Sequence, residues 1–487
     1  MPVLQAGRHY TLFTACGHNS HDAEMSIDLS LARVRQLFSS LPAYTRPTIH
    51  VAGTNGKGSV TAILSSIFVS SGISVGRFNS PHLIHVWDAI SINGCSVAED
   101  TYRPLRNHVE RVNSTNQIEA SSFEIMTATA AQIFEQARVH VAIFEVGLGG
   151  RLDATNVLPD DTILVSAITS IDLDHQQFLG ITPAAIAREK AGIARSAKPC
   201  VLGPQTHPEV QPVVQDVVHA IGGRFVKAIE LAPQDSENFL PPSLDSSQVV
   251  TAPFPPWNTT LELVLPLRGA HQRQNLATAL TVLSVIIEDR STSPLEVALN
   301  DITPSTLYTG VLKTTWPGRL ERVALVDPPL VILIDGAHNP ASAAALQSYL
   351  SRAASTASME STPSSRSPCV FILALSHSPP KTPLETLAPL LRPGDRVAFI
   401  PFSDVEDMPW VKNVPLPELE SVGRNLVEGG EVKLFGRVSN EVYLGPLKRA
   451  LKWASDVAEG DEVVLAGSLY LVADLHRVVI EQGRNGS

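Results

Sequence analysis

Cysteine is scarce and scattered. Cys16, Cys95, Cys200 and Cys369 are the four in 487 residues, and no two form a CxxC pair. That argues against both a zinc knuckle and a disulfide scaffold. Positive charge is in deficit: 37 Lys and Arg face 48 Asp and Glu, a net charge of −11. The basic footprint of a protein that grips nucleic acid or an anionic membrane surface is therefore missing. No apolar run approaches the roughly 20 residues needed to span a bilayer. Arg8 is the one Lys or Arg in the first 25 positions, and no secretory apolar segment accompanies it; a transit peptide is normally richer in arginine. The final Gly-Arg-Asn-Gly-Ser matches no retention or peroxisomal address. The expected compartment is the cytoplasm, with a mitochondrial pool left open.

What is present is a 44 % hydrophobic complement, ample for large cores. At roughly 100–200 residues per domain, the length implies two or three domains. Short β-branched runs alternate with helical periodicity almost throughout, the pattern of a parallel α/β architecture. In the first half, Thr48–Ala52, Val139–Val146, Thr162–Ile171 and Lys198–Leu202 read as strands, with helices at Ser59–Ser70, Ser121–Ala137, Thr182–Ala194 and Pro208–Ile221. Ser121 with Glu124 is a capping-box pattern, and Thr182-Pro183 an N-cap followed by proline at the first helical position. The second half repeats the alternation with strands Leu330–Ile334, Cys369–Leu375, Arg396–Pro401, Lys433–Phe435 and Glu462–Ala466, a smaller doubly wound unit. A boundary is expected near Pro304–Pro317, giving an extension (1–25), a larger domain (26–310) and a smaller one (311–487). Gln234–Asn258 and Ala353–Pro368, rich in Pro, Ser, Thr and Ala, read as inserted surface loops.

The sharpest local signal is His50-Val51-Ala52-Gly53-Thr54-Asn55-Gly56-Lys57-Gly58-Ser59-Val60. A strand ends, a glycine-rich turn follows, and a helix begins. Glycines let backbone N–H groups converge on phosphate oxygens, the helix N-terminus adds its dipole, and Lys57 supplies a full charge. The spacing departs from the common Walker A form, and Gly58 stands where a magnesium-binding Ser or Thr follows the lysine. The bland alternative is a glycine turn with a solvated lysine. If Gly58 cannot ligate magnesium, the ligands come from elsewhere. Ser80 in Asn79-Ser80-Pro81-His82-Leu83 (after the short strand Val75–Phe78), Glu145 in Phe144-Glu145-Val146-Gly147-Leu148-Gly149-Gly150-Arg151-Leu152-Asp153 and His175 in Asp172-Leu173-Asp174-His175-Gln176-Gln177-Phe178-Leu179-Gly180 all lie at the C-terminal ends of expected strands, where open α/β sheets bind ligands. Each alone has a structural reading: a turn cap, a core ion-pair partner, a structural histidine.

These segments, with Arg188-Glu189-Lys190-Ala191-Gly192-Ile193, His271-Gln272-Arg273-Gln274-Asn275, Trp316-Pro317-Gly318-Arg319-Leu320-Glu321 and Asp335-Gly336-Ala337-His338-Asn339-Pro340, resemble the folylpolyglutamate synthase/dihydrofolate synthase family of the Mur ligase superfamily. The motifs run in family order from about Ile27 to Arg477. Within the family the chain is most similar to the monofunctional, fungal-type dihydrofolate synthases, through Leu83-Ile84-His85-Val86, Ser122-Phe123-Glu124, Val405-Glu406-Asp407-Met408-Pro409-Trp410 and Gly467-Ser468-Leu469-Tyr470. The resemblance implies an α/β fold: a larger N-terminal P-loop ATPase domain of Mur ligase type and a smaller Rossmann-like C-terminal domain. It implies ATP-dependent joining of L-glutamate to 7,8-dihydropteroate through an acyl phosphate. It also implies small-molecule partners without nucleic acid or membrane, and a monomer.

The resemblance further assigns Gly53, Thr54, Asn55, Gly56, Lys57, Gly58 and Ser59 to the ATP phosphates and Ser80, Glu145 and His175 to Mg²⁺, with a monovalent cation such as K⁺ left open. Lys190 matches a lysine that the family carries as a carbamate and metal ligand; from the residues alone it reads as a solvated charge. Asn275 matches a nucleotide contact, Arg319 an arginine reaching the phosphates from the second domain, and Asp335 with His338 a pair near ribose and transferred phosphate. Asp28, Leu29 and Arg33 resemble the segment under the pteroate pocket, with Arg151, Asp153, Thr155 and Asn156 near the metal turn. Three other functions compete: folylpolyglutamate synthase (alone or combined in a bifunctional enzyme), a non-catalytic nucleotide-binding regulator, and a peptidoglycan Mur ligase. The regulator is disfavoured because no matched catalytic position is substituted. The Mur ligase is disfavoured because too little chain precedes Gly53 for a nucleotide-sugar domain.

Overall fold

The computed structural model describes residues 30–231, 247–292, 294–357, 366–438 and 444–485. The first lobe is built on strands β1 (Thr48–Ala52), β2 (Val75–Phe78), β3 (Ile90–Ile92), β4 (Cys95–Ser96), β5 (Val141–Glu145), β6 (Ile163–Ile168), β7 (Pro199–Leu202) and β8 (Arg224–Lys227). They form one sheet in the order β4-β3-β2-β5-β1-β6-β7-β8, parallel from β2 to β8 with β3 and β4 antiparallel at one edge. β1 and β5 are buried along their whole length, as parallel strands covered on both faces must be. Helices Lys57–Ser70 and Ala270–Glu288 cover one face and helix Ser122–Gln136 the other. The capping box at Ser121 and Glu124 and the Thr182 cap before Pro183 are both formed.

The segment expected as an inserted loop at Gln234–Asn258 is in part a strand. β9 (Gln248–Phe254) pairs antiparallel with β10 (Thr259–Leu265). Val250, Ala252 and Phe254 alternate inward and meet Leu261, Leu263 and Leu265 in the core of the first lobe. Alternation overrides a composition rich in proline and serine; the rest of that expectation, 234–246, lies outside the described residues. The expected boundary Pro304–Pro317 also holds structure. Helix Pro304–Leu312 packs on helix Lys57–Ser70, with Ser66 Oγ donating to Gly310 O at 2.6 Å, so the crossing between lobes falls after it.

The second lobe contains β11 (Glu321–Leu325), β12 (Leu330–Ile334), β13 (Val370–Leu373), β14 (Arg396–Phe399), β15 (Glu431–Leu434) and β16 (Val463–Ala466). Their order is β11-β12-β16-β13-β14-β15, parallel apart from the edge strand β11. Helices sandwich this sheet. The second expected loop begins as helix, because Pro340–Ala357 runs four residues past Ala353. Near its far end, two residues before Pro368, the Arg366 side chain is buried in a two-pronged ion pair with Asp395; residues 358–365 lie outside the described set. Among the described residues, no helix is long and apolar enough to cross a membrane.

Candidate active site

β1 ends at Ala52 and helix Lys57–Ser70 begins after a four-residue turn. Gly56 caps that helix with a left-handed backbone (φ +92°), and a Cβ there would lie 2.1 Å from Asn275 Oδ1. Only glycine suits both the angle and the close approach. The loop is held from the β6 side: Thr54 N and Asn55 N donate to Ser170 O at 2.9 and 3.2 Å, and Thr169 Oγ1 donates to Asn55 O at 2.7 Å. The Lys57 ammonium folds over the turn, donating to Gly53 O and Thr54 O. A Cβ on Gly58 would come within 2.5 Å of the Trp316 ring. The residue after the lysine is therefore glycine because the inter-lobe tryptophan takes the space of a side chain.

The strand-end candidates gather beside this loop. Glu145, at the end of β5, is 5 % exposed. Its Oε2 accepts from Asn79 Nδ2 at 2.6 Å, and its Oε1 lies 3.9 Å from Lys57 Nζ. Burial raises the Glu145 pKa, and Lys57, Asn79, Arg319 and Arg77 pull against it. The Ser80 Oγ beside Asn79 is buried with no hydrogen-bond partner, an orphan that calls for a ligand. His175 sits on a left-handed backbone (φ +51°). Burial, together with Lys190, His338 and Lys57, pushes its imidazole down to about 4 against the pull of Asp174. It is neutral at pH 7, the form that offers a ring lone pair to a metal. Lys190 is buried and donates to Gly53 O at 2.8 Å; burial and then Lys57 push its amine down to about 7. Orphaned hydroxyl, buried carboxylate and neutral imidazole fit a divalent cation beside phosphates. Among the described residues, no cluster of three or more His, Cys, Asp or Glu offers an alternative metal centre.

The second lobe closes on the same edge. Asn339 Nδ2 donates both to Asn55 Oδ1 in the loop and to Asp174 Oδ2, each at 3.2 Å. His338 Nε2 lies 3.6 Å from Asp174 Oδ2, and Lys381 Nζ 3.9 Å from Asp174 Oδ1 while donating to His338 O at 2.8 Å. Burial pushes the Asp174 carboxyl up, but His338, His175 and Lys381 outweigh it and hold it well below the carboxylate range. Asp335 is buried; it accepts from Leu320 N and Ala337 N at 2.9 and 2.8 Å. Its carboxylate thus fixes the turn that presents Arg319. Asn79, Asp174 and Asn339 stood inside quoted motifs without a role, and Lys381 carried no signal at all.

Of the residues expected at the pteroate pocket, Asp28 and Leu29 lie outside the described residues. Arg33 Nε stands 3.5 Å from Glu124 Oε2, and half-exposed Arg151 grips Glu189 with two hydrogen bonds. Asp153 is 4 % exposed. It accepts from Leu148 N at 2.8 Å, Thr155 N at 3.0 Å and Thr155 Oγ1 at 2.5 Å. Because the Thr155 hydroxyl donates to Asp153, its oxygen must accept from His50 Nε2, 2.8 Å away, which fixes the tautomer of that ring. Burial drives His50 down to about 3, so the ring stays neutral. A relay His50–Thr155–Asp153–Leu148 thereby ties strand β1 to the turn after Glu145. A further cavity of about 950 Å³, which the sequence did not signal, opens between Gly203, Gln205, Lys227, Arg273, Gln274 and Arg352, next to Asn275.

A two-lobed α/β fold with a glycine-rich strand–loop–helix turn where the lobes meet matches the nucleotide-dependent ligases of Mur type. Comparison with known proteins agrees. A family model described as the dihydrofolate synthetase C-terminal domain matches residues 319–478. The dihydrofolate synthetase of Saccharomyces cerevisiae is 33 % identical over 95 % of this chain and 100 % of its own length. The probable dihydrofolate synthetase of Schizosaccharomyces pombe is 32 % identical over 93 % of this chain and 99 % of its own. Mycobacterium tuberculosis folylpolyglutamate synthase, solved with ADP and AMPPCP, superposes with a TM-score of 0.72 at 26 % identity, over 92 % of this chain and 95 % of that one. Escherichia coli FolC, solved with DHPP and ADP, does so at 0.71 and 27 %, over 94 % of both chains. The chain belongs to the dihydrofolate synthase/folylpolyglutamate synthase family.

Replacing Thr155 by Val deletes the middle of the relay and leaves Asp153 without its hydroxyl donor. The expected result in steady-state kinetics is a fall of about tenfold in kcat/KM for the acid substrate, in line with roughly 1–2 kcal/mol for a buried hydrogen bond. The KM for ATP should stay within about twofold, and Thr155→Ser should recover most of the loss.

Proposed function

We propose that this enzyme joins L-glutamate to 7,8-dihydropteroate at the expense of ATP, giving 7,8-dihydrofolate, ADP and phosphate. The observation that carries the proposal is the meeting of both lobes on one loop, with Asn339 bridging Asn55 and Asp174. The choice of dihydropteroate draws support from likeness over the full length of two fungal proteins named as dihydrofolate synthetases.

A carboxylate anion is a poor electrophile, so its oxygen first takes the γ-phosphoryl of ATP, releasing ADP. The glutamate amine then attacks the acyl carbon; phosphate leaves and the nitrogen loses a proton. Catalysis is mostly positioning and charge neutralisation. The backbone of residues 53–59 and the Lys57 ammonium cradle the phosphates, Asn275 with the neighbouring cavity takes the base, and Asp335 with His338 stands near the ribose. Ser80, Glu145 and His175 would hold Mg²⁺, joined by Lys190 as a carbamate. The ion would neutralise charge on the phosphates. A manganese ion accompanies AMPPNP in the Yersinia pestis relative. Arg319 and His338 come to the phosphates from the second lobe, so that closure must precede transfer and water is shut out. Arg33 and Arg151 line the approach of the pteroate, while Asp153, expected there too, is buried and instead fixes the turn beneath it.

Incubation of purified protein with ATP and glutamate, and with either dihydropteroate or tetrahydrofolate, tests the choice of acid. Product from dihydropteroate is expected; product from tetrahydrofolate alone would make the chain a folylpolyglutamate synthase. Lys57→Ala should abolish turnover in a folded protein, and Arg319→Ala should lower kcat by about 100-fold or more, as loss of a transition-state cation does, with a smaller change in nucleotide affinity.

Carbamylation of Lys190 needs the free amine. With an amine pKa near 7, the neutral fraction grows as pH rises through 7. Under ¹³C-bicarbonate, a carbamate carbon signal should strengthen from pH 6 to pH 8 in the wild type and be missing in Lys190→Met. A signal that is equal in both proteins would discard the assignment.

A further inference from the structure

One arginine near the meeting of the lobes, Arg77, has a buried Nε–H with no hydrogen-bond partner among the described residues. Gly76 on β2 faces Phe134 on one side of the sheet. By strand alternation, Arg77 points to the opposite side, where helix Lys57–Ser70 begins. Its guanidinium carbon lies 4.8 Å from the centre of the Trp316 ring, the same ring that abuts Gly58. An aromatic face attracts a guanidinium but leaves the in-plane N–H groups unsatisfied. The anionic side chain that acts on it is Glu145.

Around Glu145 the balance of charge is uneven. Three cations, Lys57, Arg77 and Arg319, act on this carboxylate; Arg319 is shared with Asp335, and a divalent ion held beside Glu145 would leave positive charge in excess. Positive charge in excess in a low-dielectric setting favours an anionic ligand with several oxygens. Lys57 comes from the loop and Arg319 from the second lobe; Arg77 enters from the sheet, braced by the tryptophan that joins the lobes. A guanidinium presents several donors in one plane and suits phosphoryl oxygens.

We propose that Arg77 is a nucleotide-binding residue of this enzyme, donating to a γ-phosphoryl oxygen of ATP, with Trp316 as the plate that holds it there. The proposal deepens the ligase reading and rests on its nucleotide site. It assigns the γ-phosphoryl three cationic contacts arriving from three directions, a specificity device for triphosphate over diphosphate.

The test is equilibrium binding of AMPPCP and of ADP, with Mg²⁺, to the wild type, Arg77→Met and Arg77→Lys. AMPPCP carries the γ-phosphoryl that ADP lacks. Arg77→Met should bind AMPPCP at least tenfold more weakly while ADP affinity stays within twofold, and Arg77→Lys should fall between. Loss of affinity for both nucleotides alike, or for neither, overturns the proposal. Should Arg77→Met not fold, Arg77→Lys and Trp316→Leu decide by the same comparison: a selective loss of AMPPCP supports it, and an unselective loss or none refutes it. If the γ-dependent loss is found but the wild type makes no product from dihydropteroate, Arg77 keeps its role and the choice of acid substrate is what fails.

Discussion

Glu145 is a carboxylate buried at a strand end, and its surroundings make sense only in terms of what such a group requires. Taking an ionised carboxylate out of water is costly unless hydrogen bonds and opposite charges replace the solvent. Asn79 supplies the hydrogen bond, Lys57 the nearest charge, and Arg77 and Arg319 act from the sheet and the second lobe. The need to bring these groups to one point ties the ends of β1, β2 and β5 together. It also explains why a tryptophan from the crossing between lobes sits where a Walker loop would place a hydroxyl.

The cross-lobe contacts follow the same logic. Asp174 is nearly enclosed, and the donors that face it from the second lobe are Asn339, His338 and Lys381. Asn339 also reaches Asn55, so the position of the second lobe is read directly at the phosphate loop. Further from the loop, Arg106 pairs with Asp407 at 2.8 Å, and Arg477 Nη2 donates to Ile84 O at 2.8 Å. On the function proposed above, a site split between lobes in this way would deliver its second set of cations on closure, which suits a reaction whose intermediate would otherwise be lost to water.

Local features were legible in the sequence and distant pairings were not. β1 and β12 have the bounds their β-branched runs predict, and the Gly53–Gly56 turn is where its glycines require it. One error comes from weighing composition above pattern. Pro253 and its neighbours obscured the inward alternation of Val250, Ala252 and Phe254. The stretch Pro304–Pro317 does contain the crossing between lobes, although its first part is helix, opened by the same cap-plus-proline signature at Thr303-Pro304 that stands at Thr182-Pro183. Lys190 read as a solvated charge because a helical lysine beside a glutamate is normally exposed; only the packed structure shows it buried against Gly53 O. The partnership of Asn339 with Asp174 joins residues 165 apart. No spacing in a single chain encodes such a contact.

The central claim is that triphosphate and a divalent ion assemble on the edge shared by the 53–59 turn and the ends of β2 and β5. The most direct measurement is a crystal structure with AMPPCP and Mn²⁺, the metal located by its anomalous scattering. The account predicts an anomalous peak within bonding distance of Ser80 Oγ and the Glu145 carboxylate, on the side of the nucleotide's β- and γ-phosphates. A peak elsewhere, or phosphates seated away from Lys57, would contradict it.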